Sequence, residues 1–296
     1  MNKLLLILTS ILLASCATTK HGFVNTTGGG RIYYEERGKG APLLLLHGHS
    51  LDRRMWDGQW RDFSKHYRVV RMDFRGYGRS SEQREDLQMT HADDVLTLMD
   101  SLHIQKAHVV GLSMGSFVTG DLLAMFPERL LSCVMASGGI RNSKGPSEPM
   151  DSAEAAKRDK EIAALKVKGV DKMKAEWTEQ LISGGGSQRE RMRPALTQMI
   201  NDWTAWQPLH KEVRLFYGKE AWATLRKRGK TDVPTLFVRG ACELKGKRGN
   251  PGEMKYLTNA RFVVLDDCGH MLNMERPVEF NQAVLDFINS ADKGRD

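Results

Sequence analysis

Short apolar runs recur along the chain, and between them the polar positions fall at helical spacing. "APLLLLHG", "YRVVRMD", "AHVVGLS", "SCVMAS", "TLFVRG" and "RFVVLDD" are apolar nearly throughout, the pattern of parallel strands covered on both faces. "GFVNTTGGGRIYYEERGKG" alternates instead and predicts two edge strands around a glycine turn. "SFVTGDLLAMF" predicts a helix that ends before Pro127, and "PVEFNQAVLDFINS" a closing amphipathic helix with Pro277 in its first turn. Strands alternating with helices imply an α/β fold, a mostly parallel sheet with helices on both faces.

From about Arg141 to Thr231 the strand pattern stops. "AAKRDKEIAALKVKGVDKMKAEWTEQL" is lysine-rich and helical, "SGGGS" breaks it, and further helical pieces follow. A helical lid over 141–231, inserted between core segments 24–140 and 232–292, accounts for the change. Its Met173, Trp177, Met192, Met199, Trp203, Trp206, Phe216, Tyr217 and Trp222 are expected mostly to pack the lid on the core, with a few lining a pocket.

The first residues stand apart. "MNKLLLILTSILLASC" has Lys3, an apolar stretch too short to span a bilayer, and small residues before Cys16, the form of an export signal over 1–16. "LASC" resembles a bacterial lipobox, which implies lipidation of Cys16, a tether over 17–23 and a folded body held on the membrane outside the cytoplasm. In a cell with two membranes, Ala17 resembles the pattern sorted to the outer membrane, facing the periplasm.

Composition narrows the remaining classes. The 296 residues carry a net charge of +8, 41% hydrophobic and 27% charged, as in an ordinary globular chain. No basic stretch is interleaved with aromatics, so no nucleic-acid partner is expected. His47-x-His49 lacks a third ligand, so no metal is expected. No cofactor is required, and a monomer is the expected state.

The chemistry centres on Gly111-Leu112-Ser113-Met114-Gly115, a G-x-S-x-G with a strand before and a helix after. Such a turn strains the serine backbone, needs glycine at its flanks and sets the hydroxyl at a helix N-terminus. His270, in "DDCGHMLNMERP" after the last strand, completes the chain order serine, acid, histidine. The acid falls to Glu243 by elimination: "MASGGIRNS" has no carboxylate, and Asp266 and Asp267 sit too close to His270. Two backbone N–H groups are needed for an oxyanion hole. Met114 supplies one and the loop after "PLLLLHG" the other, at His49 or alternatively Ser50, with His47 and Gly48 shaping that loop.

"LLLLHGHSLDRRMWD", "RVVRMDFRGYGRSS", "VVGLSMGS" and "DCGHMLNMERPVEF" together resemble the α/β-hydrolase superfamily, in the branch of 3-oxoadipate enol-lactonases, small carboxylesterases and C–C bond hydrolases. The resemblance spans Gly22 to Ile288 and implies a serine hydrolase acting on a small-molecule ester or lactone through an acyl-enzyme. A C–C bond hydrolase or thioesterase is the alternative within the fold, and an inactive binding scaffold the alternative outside catalysis. It also implies that Asp73 and Arg75 brace loops. Aspartate-nucleophile relatives such as epoxide hydrolases do not fit Ser113. Glu243 departs from the usual aspartate. Cys242 and Cys268 follow adjacent strands, and in an oxidising compartment they are candidates for a disulfide, with two reduced, packed thiols as the alternative, while Cys133 reads as core.

Overall fold

The computed structural model describes residues 18–87, 89–145, 147–148, 150–211, 215–245 and 251–294. Among the described residues, eight strands form one sheet in the order β1-β2-β4-β3-β5-β6-β7-β8. They are β1 Lys20–Asn25, β2 Arg31–Arg37, β3 Pro42–Leu46, β4 Arg68–Met72, β5 Ala107–Leu112, β6 Leu130–Ala136, β7 Thr235–Gly240 and β8 Ala260–Leu265. Only the pairings β1–β2 and β2–β4 are antiparallel; the rest are parallel. The α/β reading is therefore right. Lys20 to Phe23, expected in the tether, instead pair with β2, because alternate residues of this stretch cover Tyr33 and the sheet edge.

The uninterrupted apolar runs have a simple cause. Successive residues of β3 point to opposite faces, Leu43 and Leu45 into one core and Leu44 and Leu46 into the other. The first core takes Trp56, Phe63 and Phe280; the second takes Phe74, Val95, Leu98 and Val118. "RFVVLDD" is the exception. As β8 it lies at the sheet's end, half-buried rather than buried, since it has one strand neighbour and thinner helical cover.

The helices are α1 Asp57–Phe63, α2 His91–Ser101, α3 Met114–Met125, α4 Ser152–Lys168, α5 Val170–Ser183, α6 Arg193–Asp202, α7 Trp206–Leu209, α8 Lys219–Arg228, α9 Ala241–Leu244, α10 Leu272–Glu275 and α11 Pro277–Lys293. Thr90 caps α2 by accepting the Asp93 N–H, and α11 buries Phe280, Val284, Phe287, Ile288 and Ala291 along one stripe. Between β6 and β7 the described residues form helices, turns and one bridge, Thr231 to Leu257. Among the described residues no helix is long and apolar enough to cross a membrane. Cys16 and the rest of 1–17 lie outside the described residues.

Candidate active site

β5 runs into α3 through Ser113, whose backbone sits at φ 55°, ψ −112°. A non-glycine residue at positive φ is held there only by its surroundings. The grip is steric: a Cβ on Gly111 would come 2.1 Å from the Gly115 carbonyl oxygen, and one on Gly115 2.0 Å from that of Leu46. Glycine at both places lets α3 press on β3 and β5, and the Ser113 N–H donates to the Ala136 carbonyl at 2.9 Å. The Ser113 side chain stays part-exposed, above the unpaired N–H groups that begin α3.

The loop after β3 lies beside it. His47 is fully buried; its Nε2 accepts the Phe74 N–H at 3.0 Å, which leaves Nδ1 to donate to the Gly48 carbonyl at 2.8 Å. Both nitrogens are spent on holding the loop. His49 Nδ1 meets the Tyr77 hydroxyl at 2.7 Å. Removal from water first, then the His47 ring and the Arg141 charge beside it, holds the His49 imidazole down at about 4, so the ring is neutral at ordinary pH. Ser50 accepts the indole N–H of Trp177 at 2.7 Å, which fastens α5 over the loop. Asp73 binds Arg53 and the Arg79 N–H, and Arg75 pairs with buried Asp94 at 2.6 Å. Both brace loops.

On the other side, α9 carries Glu243 off the end of β7, and the loop after β8 carries His270. Glu243 Oε1 lies 2.8 Å from His270 Nδ1. A carboxylate only accepts, so Nδ1 holds the proton and Nε2 keeps its lone pair. Glu243 Oε2 accepts the Ser137 hydroxyl at 2.8 Å. Burial alone would raise this carboxyl; His270, Ser137 and Arg239 outweigh it and hold the group below the usual carboxylate range. Among the described residues no hydrogen bond joins the Ser113 hydroxyl to His270. The two halves are joined instead through the end of β6, where Ala136 takes the Ser113 N–H and the next residue, Ser137, holds Glu243.

Ser113 opens into a cavity of about 530 Å³ whose walls include His49, Met114, Tyr77, Phe117, Arg141, Trp177 and Phe216. Of the lid aromatics and methionines, Trp177 and Phe216 reach it. Met192, Met199 and Trp203 are buried in the two cores. Asp266 plays no part here, and Asp267 is taken by Ser187 and Arg276. Ser137 and Arg141 were not legible as site residues, because neither is a carboxylate and the groups they meet lie far off in sequence. Their one sequence signal is position, just past the C-terminal end of a central strand.

The candidate Cys242–Cys268 bridge is not formed: both thiols are free, the alternative that the sequence left open. The two loops meet through backbone, the Cys242 N–H donating to the Cys268 carbonyl at 3.0 Å. The side chains diverge, Cys242 exposed on α9 and Cys268 buried with its S–H toward the Leu265 carbonyl. Cys133 is buried in β6 beside Thr235. No group of three His, Cys, Asp or Glu suited to a metal occurs among the described residues.

The family described as alpha/beta hydrolase fold matches residues 41–277. The chain is 27% identical over 271 residues to 2-hydroxy-6-oxo-6-phenylhexa-2,4-dienoate hydrolase of Comamonas testosteroni, covering 87% of this chain and 91% of that protein. It is similar to a thermophilic esterase from Thermogutta terrifontis, with TM-score 0.68 and 25% identity over 92% of this chain and 99% of the other. The enol-lactonase from Burkholderia xenovorans LB400 shares the fold, with TM-score 0.65 and 24% identity over 90% of this chain and all (100%) of that one.

Proposed function

The chain belongs to the alpha/beta hydrolase family, and from that premise we propose that it is a serine hydrolase that opens carboxylic esters or lactones through an acyl-enzyme. The observation that carries the reading is the Glu243–His270 contact at 2.8 Å, on the same sheet end as a strained, glycine-flanked Ser113. His270 Nε2 takes the Ser113 proton as Oγ attacks the carbonyl carbon, and Glu243 stabilises the imidazolium. The N–H groups of Met114 and His49 receive the oxyanion. The imidazolium returns its proton to the departing alkoxide, and a water activated by the same ring releases the acid and regenerates Ser113. The step requires His270 to close on Ser113, a contact that commonly tightens only with substrate bound.

A second reading, hydrolysis of a C–C bond beside a ketone, is favoured by the name of the Comamonas relative. There the leaving group is a carbanion equivalent, which must be protonated on carbon. A panel of aryl esters, lactones and vinylogous diketones separates the two by relative kcat/KM. Labelling by a fluorophosphonate probe tests the common premise. Wild type should label, while Ser113→Ala and His270→Ala should not; a folded wild type that stays unlabelled supports a binding scaffold instead.

The proposal extends to location: Cys16, lipidated, holds the enzyme on the membrane outside the cytoplasm. Incorporation of labelled palmitate by wild type and not by Cys16→Ser supports it; equal incorporation, or none, overturns it.

A further inference from the structure

Among the described residues, three charged side chains line the cavity at Ser113: Arg141, Arg158 and Glu161. Two are spoken for. Arg158 donates to the carbonyls of Gln207 at 2.5 Å and His210 at 2.9 Å, and to Glu161 at 3.3 Å. Glu161 is further balanced by Lys157 at 3.9 Å. Arg141 differs. Among the described residues no carboxylate pairs with it, and its guanidinium lies 5.5 Å from the Phe117 ring centroid and 5.2 Å from that of Phe216. Those rings stand edge to face, 6.0 Å apart, and form one wall of the cavity. Phe117 lies on the first turn of α3, directly after the nucleophile, and the Arg141 charge reaches the His49 ring.

We infer that Arg141 is the anchor for a carboxylate on the substrate, so that the hydrolase prefers acids bearing a second, free carboxyl group, the hemi-esters of dicarboxylic acids. A guanidinium set against aromatic rings, with no carboxylate partner among the described residues, keeps N–H groups free, and these match a carboxylate in a bidentate pair. A neutral His49 leaves Arg141 as the unneutralised charge on the cavity wall among the described residues. The apolar stretch between Arg141 and Ser113, walled by Phe117 and Phe216, suits the methylene chain between the two carbonyl groups.

This inference rests on the serine hydrolase reading, and the test keeps the two apart. Mono-p-nitrophenyl esters of diacids from succinate to pimelate are compared with neutral p-nitrophenyl esters of matched chain length, in wild type and Arg141→Gln. At one chain length or more, wild type should favour the acid ester. In Arg141→Gln the acid-to-neutral ratio of kcat/KM should fall by about 10- to 100-fold, the worth of a charge-assisted pair. A wild type with no preference, or a ratio unchanged in Arg141→Gln, overturns the inference while leaving the hydrolase intact. If wild type cleaves none of the esters, the hydrolase reading fails, and calorimetric binding of the free diacids decides the anchor. Binding weakened about tenfold or more in Arg141→Gln upholds it. Equal binding, or none in wild type, removes it.

Discussion

Two buried hydrogen-bonding side chains carry consequences that the motif alone does not. Ser137 sits at φ 46° with its hydroxyl on Glu243 Oε2, and so fixes the longer carboxylate against His270. It touches no reacting atom; it is a positioning residue. Ser137→Ala should lower kcat about tenfold with KM little changed, the cost of one hydrogen bond to a charged group, and Ser137→Thr should restore part of it. Steady-state kinetics on a single ester reads both. Asp121, buried in α3, accepts the Tyr217 N–H at 2.8 Å, while its Oδ1 finds no partner among the described residues. Burial, against the Tyr217 and Gly218 N–H groups, pushes its carboxyl up to about 7. An unfolded aspartate ionises near about 3.9, so between those values the native chain holds a proton that the unfolded chain has lost. Stability must then fall as pH rises through that window, by at most about 4 kcal/mol from this group. Urea unfolding at acidic and alkaline pH should show that fall in wild type and a smaller one in Asp121→Asn.

At the scale of elements, the nucleophile turn is a matter of two contacts between backbones. Gly115 lets α3 touch β3, and a Cβ there meets a carbonyl of a central strand that cannot retreat. Gly115→Ala should cost about 3 kcal/mol and abolish fluorophosphonate labelling. Gly252→Ala, where nothing lies within 4 Å, should stay within about 0.5 kcal/mol of wild type. Denaturant titration of the pair separates a close approach from glycine's general effect on chain entropy. The strands themselves were legible because each apolar run feeds two cores at once. β8 was misjudged for the same reason: the run looks alike whether its second face is covered well or thinly.

Across the whole molecule, the first helix and the last two are sewn together by a buried amide cluster. Asn273 Nδ2 donates to the Met55 carbonyl at 2.9 Å, and Gln59 donates to the Asn281 side chain at 2.8 Å and to the Asn273 carbonyl at 3.1 Å. This joins α1 to α10 and α11, next to the loop that presents His270. Asn273→Ala strands the Met55 and Gln59 acceptors and should cost about 2 kcal/mol, read as a shift in the urea midpoint at constant slope.

Periodicity and spacing by themselves settled the alternation of strands and helices and the strand-turn-helix at G-x-S-x-G, because these depend on residues close in sequence. Folding alone decided which side chains meet across the sheet's end. Ser137 reaches Glu243 from more than a hundred positions away, Arg141 comes to lie over two rings from different elements, and Cys242 and Cys268 touch through backbone with their sulfurs apart. No local pattern encodes those meetings, since each is set by how far neighbouring strands run before they turn.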